Sequence, residues 1–197
     1  HIAKALQNNK VLELLDLDGN EIGPSNIKDI ADALRVNVSL QTLKLARNKI
    51  NDVGAWELAE ALKLNRSLTK LDLTRNSVEE AGAGDLNEAL CANNVLRELH
   101  LSYNRIKDAG AASLANAIRV NTTLHTLKLA DNDIPEAGAL KIAEALSVNS
   151  TIHTLDMLGN SLTKKVEDLL DKIVRNTSAY VRIPSEFQEA LCMALHS

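Results

Sequence analysis

The sequence predicts an α/β solenoid: a right-handed horseshoe with a parallel sheet on its concave face and helices on its convex face. Three observations predict it. Leu (33), Ala (25) and Asn (19) fill 77 of the 197 positions while aromatics make up only 2%, which disfavours a sandwich or barrel built on large aromatic cores. Leu12, Leu40, Leu68, Leu96, Leu124 and Ile152 stand 28 residues apart, and a fixed period of this size is the mark of a repeat architecture. Each period divides into a strand phrase and a helix phrase. One strand and one helix cannot bury both their apolar faces alone, so the copies must stack and share a core.

The elements follow in order. The first half of each period reads L-x-x-L-x-L-x-x-N-x-I: LELLDLDGNEI from Leu12, LQTLKLARNKI from Leu40, LTKLDLTRNSV from Leu68, LRELHLSYNRI from Leu96, LHTLKLADNDI from Leu124 and IHTLDMLGNSL from Ile152. Along each strand the second and third Leu, such as Leu43 and Leu45, point into the core, and the residue between them faces the concave side. The ninth place is always Asn: Asn20, Asn48, Asn76, Asn104, Asn132 and Asn160. Buried at the strand's end, that Asn is expected to hydrogen-bond turn backbone in its own and neighbouring repeats, since unpaired buried peptide groups are costly.

The second half is helical, with apolar residues recurring at three and four, as in Val53, Leu58, Ala61 and Leu62 or Leu114, Ala117 and Ile118. Asp52, Asp108 and Glu136 favour the positive end of their helices. Gly54, Gly82, Gly110 and Gly138 fall in the first helical turn, where a missing side chain lets the helix approach its neighbour. Strands stack about 4.8 Å apart and helices about 8 to 10 Å, so the stack bends with its strands inside.

The solenoid is expected over residues 1–178: a partial repeat, 1–11, then six repeats starting at 12, 40, 68, 96, 124 and 152. Residues 1–9 read as an internal helix without the polar outer face of a terminal repeat, so the chain is expected to be part of a longer one or of a larger assembly. A cap is expected at 179–197, with a partner-docking helix as the alternative. Tyr180 and Ile183 take the first two strand places, Pro184 breaks a seventh copy, and residues 185–196 form a helix with Phe187, Ala190, Leu191, Ala194 and Leu195 on one apolar stripe.

With segments such as GAWELAEALKLNRSL (Gly54 to Leu68) and GALKIAEALSVNSTI (Gly138 to Ile152), the chain resembles, over roughly residues 1–176, the ribonuclease-inhibitor-like class of leucine-rich repeats. That class includes the sensor arms of NOD-like receptors, the Ran GTPase-activating proteins and the tropomodulin cap. The resemblance implies the right-handed leucine-rich-repeat horseshoe, and a protein partner held by the concave face and its rims. It also implies two rivals: a regulator of a small GTPase, and a structural part of a cytoskeletal or ciliary assembly.

Two sets of residues are candidates for contact. The concave row reads Asp16, Lys44, Asp72, His100, Lys128 and Asp156, alternating in sign between strands about 4.8 Å apart. The rim where the strands end carries Arg47, Arg75, Tyr103, Arg105 and Asp131 above the small Ala46, Thr74, Ser102 and Ala130; Arg and Tyr are enriched at the energetic centres of interfaces.

Other chemistries find little support. The net charge of −4 gives no electrostatic case for nucleic acid, and no apolar run approaches the roughly 20 residues of a membrane span. His125 and His153 fall within about 5 Å of each other but lack a third ligand, the histidines read as exposed polar residues, and neither Cys91 nor Cys192 has a partner or base. No metal, cofactor or catalytic site is expected. Sequons at Asn37, Asn65, Asn121, Asn149 and Asn176 follow from the repeat junction without any glycan, and the protein is expected to be intracellular, in the cytoplasm.

Overall fold

The computed structural model describes residues 1–176 and 180–183. Helices and strands alternate strictly: α1 (Ile2–Asn8), β1 (Leu14–Asp16), α2 (Pro24–Leu34), β2 (Thr42–Lys44), α3 (Asp52–Leu64), β3 (Lys70–Asp72) and α4 (Glu80–Ala92). Then follow β4 (Glu98–His100), α5 (Lys107–Val120), β5 (Thr126–Lys128), α6 (Glu136–Leu146), β6 (Thr154–Asp156), α7 (Lys164–Asn176) and β7 (Tyr180–Arg182). The strands form one parallel sheet in chain order, and each helix packs on the helices before and after it. This is the α/β horseshoe expected from the period.

Strand register follows the 28-residue frame from Leu15↔Leu43 through Leu127↔Leu155. The last pairing departs from it. Leu155 faces Val181, an offset of 26, so Tyr180 and Ile183 do not take the places expected of them. The shift buries Val181 at 9% and Ile183 at 5% exposure and leaves Tyr180 at 59%; keeping the 28-residue frame would have placed the hydroxyl of Ser185 in a core slot. The expected cap helix over 185–196 lies outside the described residues.

The core is one continuous layer between sheet and helices, lined by the strand leucines and by Ala and Leu from each helix. In α3 the inward residues are Ala55, Leu58, Ala59, Ala61 and Leu62, and Val53, expected among them, is 57% exposed. Its place on the helix turns outward, and Ala55 fills the inward one. The first-turn glycines lie where helices touch: a Cβ on Gly54 would come within 2.9 Å of Ile27, and one on Gly138 within 2.9 Å of Ala111.

A second asparagine ladder ends the helices. Asn65, Asn93 and Asn121 close α3, α4 and α5 in extended conformation. Asn65 donates through Nδ2 to the carbonyls of Leu34 (2.7 Å) and Asn37 (3.1 Å) and accepts from the amides of Ser67 and Leu68. Asn37, Asn93, Asn121 and Asn149 repeat the pattern. In four of the five sequons, at Asn37, Asn65, Asn121 and Asn149, the nitrogen that a glycan would occupy is therefore engaged with the preceding repeat, and three of these asparagines are less than 9% exposed. The Asn-x-Ser/Thr pattern is structural at those places: Asn turns the chain from helix to strand.

Candidate protein-binding face

Three rows of side chains stand on the exposed face of the sheet. The middle row is the predicted one, and the parallel register sets Asp16, Lys44, Asp72, His100, Lys128 and Asp156 side by side across six strands. Three neighbouring pairs make contact: Lys44 Nζ lies 3.0 Å from Asp16, His100 Nδ1 lies 3.2 Å from Asp72, and Arg182 lies 3.8 Å from Asp156. The amide of Asp18 and, after it, the Lys44 ammonium stabilise the ionised Asp16 carboxyl, lowering its pKa. A row two residues earlier, missed in the sequence although the strand period points to it, adds Lys70 and Glu98, joined at 2.7 Å with the Glu98 carboxyl held low by that ammonium.

His100 is not the exposed polar residue its position suggested: it is 6% exposed, because Asp72 flanks it on one side and Glu98, 3.4 Å from its Nε2, on the other. A neutral ring protonated on Nδ1, or a charged ring, donates to Asp72. An Asp–His pair of this kind could serve a general base only through an open Nε2, and here Nε2 is buried without a hydrogen-bond partner. The arrangement brackets the ring between two carboxylates.

Burial alone would raise the Asp72 carboxyl pKa, but the His100 ring and the Thr74 hydroxyl and amide hold it down to about 2. A depressed folded-state value contributes stability that is fully present above the unfolded pKa and is lost as pH falls from about 4 to about 2. After screening, the effect is expected at about 1 kcal/mol. Urea unfolding at pH 5 and pH 2.5 checks it: the stability gap between wild type and Asp72→Asn should narrow by that amount, and an unchanged gap would reject it.

The rim is built by the turn that leaves each strand. Gly19, Arg47, Arg75, Tyr103, Asp131 and Gly159 occupy the same repeat place, and all six have left-handed backbone, with φ of 68°, 54°, 58°, 58°, 52° and 68°. The amides of the first five donate to a carbonyl of the following repeat at 2.7–3.0 Å (Arg47 to Thr74, Tyr103 to Ala130), which fixes the conformation. Glycine adopts it freely. A side chain with a Cβ is disfavoured there by about 1 kcal/mol, so at this one place four successive inner repeats carry backbone strain that the two outer ones avoid, while Glu21, Ser77, Lys107 and Asp133 are left-handed at other places of the turn. The glycines at 19 and 159, in frame with the rim residues, were the available sign.

Three of the strained residues project outward, while Asp131 is half-buried against Gly159. Arg47 and Arg75 are exposed and Tyr103 is 48% exposed, and the Arg75 guanidinium lies 4.3 Å from the centre of the Tyr103 ring. Beneath them Ala46, Ser102 and Ala130 form a buried floor. Arg105 is also exposed but is tied to Glu79 at 3.5 Å.

The ninth-place asparagines hold this turn. Asn48, Asn76, Asn104, Asn132 and Asn160 are buried, whereas Asn20 is exposed because no described repeat precedes it. Their bonding alternates. The side-chain oxygens of Asn48, Asn104 and Asn160 each accept two amides of the repeat before, that of Asn76 accepts one, and that of Asn132 none. On the opposite rim His125 and His153 stack with centroids 5.3 Å apart, and Arg97 lies 3.2 Å from His125 Nε2. Among the described residues no group of three or more His, Cys, Asp or Glu could hold a metal ion, and no helix is long and apolar enough to cross a membrane.

A family model described as leucine-rich repeat matches residues 8–31, 36–59, 64–86, 92–115 and 120–143. Among solved structures, actin-binding site 2 of leiomodin-1 is similar at 18% identity and a TM-score of 0.54, covering 98% of this chain and 94% of its own. The C-terminal domain of tropomodulin from Caenorhabditis elegans is similar at 12% identity and a TM-score of 0.56, covering 100% of both chains. An internalin from Listeria monocytogenes is similar at 19% identity and a TM-score of 0.56, covering 95% of this chain and 52% of its own. No curated protein sequence matches. At these identities the likeness is one of fold.

Proposed function

Because this chain belongs to the leucine-rich-repeat family, matched over more than half its length, we propose that it is a non-enzymatic module that binds a protein through the concave sheet and the adjoining rim. One observation carries the reading: Arg47, Arg75, Tyr103 and Asp131 sit on left-handed backbone where Gly19 and Gly159 show that glycine serves the fold. Side chains kept at a place that disfavours them argue for a use outside the fold. The residues kept are of the kind that anchors interfaces: two Arg, one of them stacked on a Tyr, beside a buried floor of small residues. The middle row of the sheet, from Asp16 to Asp156, supplies a flat polar surface next to this rim, with fixed charges that select among partners more than they add affinity.

The strain gives the test. Replacing Arg47, Arg75 and Tyr103 together by Gly removes the side chains and the backbone penalty at once, so the variant is expected to melt no lower than wild type while proteins captured by the immobilised chain are lost. Capture is read by quantitative mass spectrometry, with the convex variant Glu88→Gln as control. Capture that persists in the triple variant rejects the rim as the site.

A second reading is favoured by two of the similar folds, the actin-binding site of leiomodin-1 and the tropomodulin domain. On it the chain is part of a cytoskeletal assembly and its partner is an actin filament. Co-sedimentation of the 197-residue chain with actin filaments separates the readings.

A further inference from the structure

Resting on the protein-binding reading, we infer that the rim takes a short segment of mixed charge: a pair of carboxylates over Arg47 and Arg75, a bulky apolar side chain against Tyr103, and a cation at Asp131. The starting point is which cations the protein already neutralises. On the sheet and rim, Lys44, Lys49, Lys70, Arg105 and Arg182 each have a carboxylate within 4.0 Å, nearly all from an adjacent repeat. Arg47 and Arg75 break that pattern on the rim, as Lys128 does on the sheet. Among the described residues no carboxylate lies within 4.0 Å of either arginine.

The two arginines occupy the same place in consecutive repeats, so their backbones stand about 4.8 Å apart. Like charges at neighbouring places repel, and both residues hold disfavoured backbone. Within the free chain these costs are offset only in part, by the stacking of Arg75 on Tyr103. The remaining compensation is an incoming pair of carboxylates, for which the planar guanidinium fork is the matched donor. Arg75 is pre-positioned, lying against the Tyr103 ring 4.3 Å from its centre, and stacking leaves the guanidinium edge open for hydrogen bonds in its own plane.

The next places limit the ligand. Asp131, one repeat beyond Tyr103, shares the left-handed place, and Asp133 stands two residues further on. A long polyanion lying along the rim would meet these carboxylates after two repeats, whereas a short segment whose charge changes sign within about 15 Å, three strand spacings, meets complementary groups throughout. This favours a protein segment over a nucleic acid.

Fluorescence anisotropy on the full 197-residue chain tests the inference with three labelled probes: a synthetic dodecapeptide carrying two Glu, then Leu and Trp, then two Lys; the same composition with charges interspersed; and a twelve-nucleotide oligothymidylate. The first peptide should bind most tightly. Arg47→Glu with Arg75→Glu should weaken it at least about tenfold and Asp131→Lys about threefold, and a peptide with Glu and Lys exchanged should regain affinity for the charge-reversed triple variant. Equal binding of the two peptides, tighter binding of the oligothymidylate, or no measurable binding overturns the inference. If the first peptide binds but its affinity follows Lys44→Ala and Lys128→Ala and ignores the arginines, this inference fails while the protein-binding reading stands.

Discussion

Replacing Asn104 by Ala is expected to lower the unfolding free energy by about 3 to 4 kcal/mol, and replacing Asn132 by Ala by about half as much. The two residues share one repeat place and are both buried. Asn104 accepts from the amides of Asn76 (3.0 Å) and Val78 (2.9 Å) and donates to the carbonyls of Leu73 (3.0 Å) and Leu101 (2.9 Å). Truncation leaves the amides of Asn76 and Val78 and the carbonyl of Leu73 without that partner where water does not reach, at about 1 kcal/mol or a little more each, while Leu101 keeps its bond from Asn132. Asn132 donates to Leu101 (2.8 Å) and Ala130 (3.1 Å), but its oxygen is buried without a partner, so Ala removes two bonds and also relieves an orphaned acceptor. Urea unfolding of the two variants decides the matter, and equal losses would contradict the alternation of the ladder.

Two glycine substitutions are expected to act in opposite directions. Gly84→Ala, within α4, should stabilise by roughly 0.5 to 1 kcal/mol, because nothing lies within 4 Å of the added Cβ and Ala exceeds Gly in helix propensity by about that amount. Gly110→Ala, within α5, should destabilise by about 1 to 2 kcal/mol despite the same propensity gain. Its Cβ would meet Ile106 Cγ2 at 2.7 Å, Ala83 Cβ at 3.0 Å and the Glu80 Cα at 3.3 Å. The last is backbone of the preceding helix, and pushing it away loosens the contact between repeats. Thermal melts of the pair give the sign directly; a stabilised Gly110→Ala would mean that the helices do not touch there.

Much of this architecture was legible because the repeat writes each rule six times. Leu43 and Leu45 are inward and Lys44 outward for the same reason as Leu71, Leu73 and Asp72, and a frame of 28 places them together without any knowledge of neighbours. Where the chain leaves the frame, the reading failed. Tyr180 stands 28 residues after Ile152, yet burial of Val181 and Ile183 decided the pairing. Val53 satisfied the three-and-four pattern that Ala55 fulfils in space, because a helix packed on two neighbours has a wide inward face and periodicity alone cannot say where it ends. His100 reads as a surface residue in the sequence because its enclosure comes from Asp72 in the adjacent strand and Glu98 in its own, and one strand's alternation contains no information on how closely side chains of its neighbours close over it.

The rim shows the same division. That Arg47, Arg75, Tyr103 and Asp131 lie together is a statement about period and was available from the residues alone. That they share a left-handed backbone is a statement about hydrogen bonds from each turn to the next repeat. The α/β solenoid, its strand and helix faces and the row of residues on its concave side follow from apolar periodicity that each repeat carries within itself. The last strand's register, the enclosure of His100, the alternation of the asparagine ladder and the strain at the rim do not. Each of these arises between repeats, where the position of one backbone sets what the next can bury, bond or bend to reach.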